Sequence, residues 1–138
     1  MAEVLAAREE RRQRQDEWRR LYRTVIVSIT INIPGPVKDG PLIRQLCDFA
    51  VGKMSEAVPV IASSRLNLPT GPEALLAVAG KAPDIKRAAM AIEEANDFGR
   101  LLDIDVLAAA GRPLSRLDLQ KARSCLVCDR PALECRRE

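Results

Sequence analysis

Thr24-Val25-Ile26-Val27-Ser28-Ile29-Thr30-Ile31-Asn32-Ile33 alternates, with Val25, Val27, Ile29, Ile31 and Ile33 on one face and Ser28, Thr30 and Asn32 on the other. A period of two marks a strand with one buried face, so residues 24–33 are read as the strand around which the chain is organised. Pro34-Gly35-Pro36 ends it, because proline removes a ladder donor and glycine permits turn dihedrals. Lys38-Asp39-Gly40-Pro41 then reads as a helix start, with Pro41 at the first helical position, where a missing N–H costs nothing. Leu42, Ile43, Leu46, Cys47, Phe49, Ala50 and Met54 supply the buried stripe of that helix.

Residues 58–62 read as a second strand, 66–72 as a connection containing Pro and Gly, and 73–79 as a third strand whose Ala and Leu content also suits a helix. Residues 84–96 carry Ile85, Ala88, Ala89 and Ile92 at helical spacing before Gly99 closes the segment. A final strand follows in Gly99-Arg100-Leu101-Leu102-Asp103-Ile104-Asp105-Val106, and Ala110-Gly111-Arg112-Pro113 turns Leu114-Ser115-Arg116 back beside it as a hairpin. Residues 1–22 are rich in helix formers with interleaved charge, which predicts a solvated helix anchored by Trp18 and Leu21. A helix, βαββαβ and a cysteine-bearing tail at 121–138 thus make up one domain over residues 1–138. The order predicts an α+β fold of the split βαβ kind, an antiparallel sheet like that of palm nucleotidyltransferases. Helices would cover one face and leave the other open.

Composition narrows the function. The chain is 47% hydrophobic over 138 residues, enough for one core. With 3% aromatic residues, stacking platforms for bases are scarce, so single-stranded nucleic acid is disfavoured. A formal net charge of +3 suits a phosphate-rich ligand or an acidic partner and falls short of a nucleic-acid footprint. The apolar runs are too short to span a bilayer, and Glu3, Arg8 and Glu9 stand where a signal peptide needs apolar residues. A cytoplasmic protein is expected, whose four cysteines are thiols or metal ligands rather than disulfides. Without histidine, Ser-His and Cys-His nucleophilic machinery is excluded.

Asp103 and Asp105 carry the first chemical signal. Side chains alternate across a strand, so both acids share a face while Leu102, Ile104 and Val106 take the other. Paired carboxylates suit a hard divalent ion such as Mg²⁺, which brings substrate phosphates with it; the reading is metal-assisted phosphoryl or nucleotidyl transfer. A solvated sheet face is the plain alternative. Gly35 and Lys38 lie between a strand end and a helix start, where a cation and free N–H groups can hold phosphate, although an ordinary loop explains them too. Arg100 and Arg116 flank the acids and suit either a polyphosphate or the acids themselves. Cys125, Cys128 and Cys135 form a C-x2-C-x6-C pattern with the knuckle spacing of zinc sites. A closed site needs a fourth ligand, from Cys47, a carboxylate or another chain; unliganded thiols are the other reading.

Five blocks occur together in order: Asn32-Ile33-Pro34-Gly35-Pro36-Val37-Lys38, Leu68-Pro69-Thr70-Gly71-Pro72-Glu73, the Gly99 to Val106 strand, Gly111-Arg112-Pro113-Leu114-Ser115-Arg116, and Cys125-Leu126-Val127-Cys128. Together they resemble the holo-acyl carrier protein synthases of citrate lyase, the apo-citrate lyase phosphoribosyl-dephospho-CoA transferases. The resemblance runs from about Arg8 to Arg136 and departs at Asn96-Asp97, where the family often carries His-Pro. It implies a nucleotidyltransferase that joins the phosphoribosyl group of 2'-(5''-triphosphoribosyl)-3'-dephospho-CoA to a serine of the citrate lyase acyl carrier subunit, releasing diphosphate. On that footing Asp103 and Asp105 hold Mg²⁺ and one helps deprotonate the serine. Lys38, Arg100 and Arg116 hold the polyphosphate, and Glu73 is a supporting acid. A rival reading is a noncatalytic interaction module with a zinc knuckle built from the cysteines.

Overall fold

The alternating stretch becomes β1 (Val25–Ile31), one of two interior strands of the sheet. In the computed structural model, which describes residues 2–95 and 97–109, β1 follows α1 (Ala2–Tyr22). After β1 come α2 (Pro41–Ala57), β2 (Val60–Leu68), β3 (Gly71–Val78), α3 (Ala82–Ala95), a 3₁₀ turn (Gly99–Leu101) and β4 (Leu102–Leu107). From β1 onward the order is βαββαβ. The strands pair antiparallel in the order β2-β3-β1-β4. Since β1 and β2 each run antiparallel to β3, they are parallel to one another with β3 inserted between them. The hairpin return expected at 114–116 and the cysteine-bearing tail at 121–138 lie outside the described residues.

The main core follows from the period of two. Val25, Val27 and Ile29 of β1 point to the same side as Leu76 and Val78 of β3 and Ile104 and Val106 of β4. Cys47, Ala50 and Met54 of α2 and Ile85, Ala89 and Ile92 of α3 cover them. Each large side chain buried here stabilises the fold by roughly 1.5–3 kcal/mol before chain entropy is counted. Pro41 opens α2 as expected. Leu42 does not join the stripe and is 74% exposed, because it lies in the first turn, ahead of the residues that meet the sheet.

Three expectations are corrected. The second strand continues through Leu68, so most of the expected connection at 66–72 is strand, closed by a turn at Pro69-Thr70. Its polar residues escaped notice because β2 lies at the sheet edge, where pairing with β3 does not require apolar side chains. The third strand expected at 73–79 is borne out as β3 (Gly71–Val78), buried along its whole length because it is interior, with Ala79 just past its end. Most consequential, the second face of the sheet is not open. Trp18 and Tyr22 pack on Ile26, Leu75, Ala77 and Leu107, laying α1 across it; Leu21, expected as an anchor, is 72% exposed.

At the other margin α3 closes the edge of β4. The Ile104 amide donates to the Glu93 carboxylate at 3.2 Å, and the buried Lys86 ammonium donates to the Ile104 carbonyl at 3.3 Å. Both backbone groups of this edge residue are therefore satisfied.

Candidate active site

Strand register brings the acids together. Thr30 pairs with Glu73 on one side and Asp103 on the other, so Glu73, Thr30 and Asp103 form a row across β3, β1 and β4. Leu75, Ser28 and Asp105 form the next row, nearer the aromatic anchor of α1. Both rows face α1. Asp103 is exposed and Asp105 half-buried. Desolvation, followed by the like charge of Asp103, pushes the Asp105 carboxyl above its ordinary range, while Lys86 and Arg11 pull it down and Glu93 adds to the rise.

Helix α1 supplies the facing polar groups. Glu73, with a side chain only 8% exposed, accepts from Arg11 Nη1 at 2.9 Å and from Arg14 Nη2 at 2.6 Å. One turn on, Gln15 Nε2 donates to Ser28 Oγ at 2.9 Å. Between α1 and the sheet opens a cleft of about 160 Å³, lined by Ala7, Arg8, Arg11, Thr30, Ile31, Asn32, Ile33, Lys38, Thr70, Pro72, Glu73 and Asp103. It is small beside the roughly 300–1,000 Å³ of a typical ligand pocket, a size for one polar end of a larger substrate.

The loop after β1 forms the remaining wall. The Lys38 ammonium donates to the Ile33 carbonyl, folding the loop back on the strand end. Gly71, at φ 121°, leaves room for that loop: a Cβ there would stand 3.1 Å from the Lys38 carbonyl oxygen. No L side chain suits that dihedral.

Of the residues singled out in the sequence, Lys38, Glu73 and Asp103 line one cleft, and Asp105 stands one register deeper. Gly35, with φ 91°, stays on the exposed loop, and Arg100 is exposed on the 3₁₀ turn; neither lines the cleft. Arg116, Cys125, Cys128 and Cys135 lie outside the described residues. Cys47 is fully buried in the core, and desolvation pushes its thiol up to about 11, the opposite of what a zinc thiolate requires. Among the described residues no three acids or cysteines cluster as a metal cage. None of the described helices is long and apolar enough to cross a membrane.

The charged face of α1, expected to be solvated, instead brings Arg11 and Arg14 onto Glu73. Their signal was present: Trp18 and Tyr22, four apart, fix the buried face, and steps of three, four and seven back from Trp18 reach Gln15, Arg14 and Arg11.

Comparison with known proteins gives the family. The family model of apo-citrate lyase phosphoribosyl-dephospho-CoA transferases matches residues 1–138. A protein of that name from Escherichia coli is 36% identical over 141 residues, covering 98% of this chain and 77% of its own length. One from Citrobacter koseri is 38% identical with the same coverage, and one from Shigella boydii 35%.

Proposed function

This chain belongs to the apo-citrate lyase phosphoribosyl-dephospho-CoA transferase family, and we propose on that premise that it loads the prosthetic group onto citrate lyase. The donor is 2'-(5''-triphosphoribosyl)-3'-dephospho-CoA and the acceptor a serine of the apo acyl carrier subunit. The serine oxygen bonds to the α-phosphorus, the bond from that phosphorus to the oxygen bridging to the β-phosphate breaks, and diphosphate leaves with that oxygen. The serine proton passes to a carboxylate of the Asp103 and Asp105 pair. The observation that carries the reading is the cleft in which Asp103 shares walls with Lys38 and Arg11. Acid and cations together meet the needs of phosphoryl transfer, which are positioning and charge stabilisation.

Asp103 and Asp105 fit magnesium: they are all-oxygen ligands on one strand face, with a like-charge conflict that a cation relieves. Magnesium supplies neutralisation of the phosphoryl oxygens when bound. Lys38 orients the polyphosphate from the loop. Gly35, Arg100 and Arg116 are proposed to meet the donor beyond the cleft lining. The strand order and the paired acids support a palm-like platform. Zinc at Cys125, Cys128 and Cys135 is a separate proposal, read out by metal analysis, with a fourth ligand other than Cys47, which is buried in the core. The proposed setting is the bacterial cytoplasm, with neither nucleic acid nor membrane as partner. The family match disfavours a noncatalytic zinc-knuckle module.

The test incubates the protein with apo carrier, the triphosphoribosyl donor and Mg²⁺, and follows the carrier by mass spectrometry. The intact protein adds the prosthetic-group mass, and Asp103→Asn or Asp105→Asn slows the addition by about 10²-fold or more. No added mass with the intact protein, or an unchanged rate in both variants, refutes the reading.

A further inference from the structure

We propose that α1 carries the phosphate-binding wall of the cleft: Arg11, with Arg8, grips the polyphosphate of the donor, and Glu73 is the positioning residue that holds Arg11 ready. This inference rests on the transferase reading above. Glu73 is a nearly buried carboxylate facing two guanidinium groups, so the trio keeps an excess positive charge. The two arginines are not equivalent: Arg11 lines the cleft, and Arg14 does not. Arg14 anchors the carboxylate while Arg11 presents charge to the cavity. The contact to Glu73 engages one N–H of Arg11 Nη1, one of the five N–H donors on a planar group whose fork matches phosphate oxygens.

The other walls set a direction. Arg8 stands three residues before Arg11 and lines the same cleft, Lys38 enters from the loop, and Asp103 lies on the sheet. A triphosphate with its α-phosphorus toward Asp103 extends its terminal phosphates toward α1. The arginines then hold the diphosphate that departs, and Glu73 keeps Arg11 from collapsing onto Asp103 while the cleft is empty.

The test titrates inorganic triphosphate, with Mg²⁺, into the full chain by calorimetry and measures KM for donor and carrier separately. Arg11→Gln weakens triphosphate binding by about ten- to a hundredfold, the worth of charge-assisted hydrogen bonds, and raises KM for the donor while leaving KM for the carrier in place. Arg11→Lys, which keeps the charge and an ion pair, recovers part of the loss. Glu73→Gln raises the donor KM through the loosened Arg11. Arg20→Gln, on an exposed stretch of the same helix, changes nothing. Wild-type triphosphate affinity in a folded Arg11→Gln, with transfer still lost in Asp103→Asn, overturns the inference and leaves the transferase reading standing. Arg11-dependent triphosphate binding in an intact protein that transfers nothing supports the phosphate wall and overturns the transferase reading. Equal loss of affinity for donor and carrier in both Arg11 variants reduces Arg11 to a structural latch and overturns the inference.

Discussion

Gly99 has no room for a side chain. A Cβ built there would stand 1.6 Å from the Glu93 carbonyl oxygen and 2.6 Å from its carbon, and backbone at a helix end cannot step aside as a flexible side chain can. Gly99→Ala therefore pushes the 3₁₀ turn off α3 and shifts β4, which carries both acids. A loss of about 3 kcal/mol, the upper end of overpacking costs, is expected in urea unfolding; an unchanged midpoint would show that the turn relaxes freely. Asp105 behaves in the opposite sense. Its folded-state pKa is raised, so the stability linked to its protonation is present below the unfolded value and is lost as pH rises through the folded one. At neutral pH without divalent cation, the ionised carboxylate costs stability. Asp105→Asn should unfold at a higher urea concentration than wild type at pH 7, with the advantage shrinking toward pH 4, while transfer is lost. A lower midpoint at pH 7 would contradict the electrostatic account.

At the scale of elements, α1 is held in two ways. Near its C-terminal end the hold is apolar, with the Trp18 and Tyr22 rings 4.9 Å apart on Ile26, Leu75, Ala77 and Leu107; upstream of these, Arg11, Arg14 and Gln15 hold by polar contacts to Glu73 and Ser28. Trp18→Ala should cost about 2–3 kcal/mol, below the 3–5 of a fully buried aromatic because the ring is only half-buried. It should also raise KM for the donor by releasing Arg11. A stability loss with unchanged donor KM would separate the anchor from the cleft. The helices and β1 were legible because their periods are strong, and the acidic strand because its alternation is unbroken. The covering of the second face was written more faintly. Ile26 sits on the face of Ser28 and Thr30, against the alternation, and an apolar residue there signals a cover that its neighbours conceal. The β2 extension was illegible for another reason. Arg65 satisfies Asp48 and Asn67 at an exposed edge, and such polar pairing resembles a loop in composition. The cleft itself depends on register between distant strands, which no local pattern displays.

Across the whole molecule, Cys47 links the core to the cleft. It is fully buried beneath α2, and with its thiol pushed up to about 11 only about one molecule in a thousand carries the thiolate at pH 8. Alkylation at that pH therefore requires opening of the core, and Cys47 modification, followed by peptide mapping, should track global unfolding in urea. Any ligand that binds only the folded state slows it by the same factor by which it stabilises the fold. Inorganic triphosphate and Mg²⁺ at about 100 times the dissociation constant should slow Cys47 alkylation about a hundredfold, by about 2.7 kcal/mol of linkage. Arg11→Gln at the same ligand concentration should lose most of that protection. Rapid labelling of Cys47 in the native protein, unaffected by ligand, would instead mean that α2 lifts from the sheet independently of the cleft.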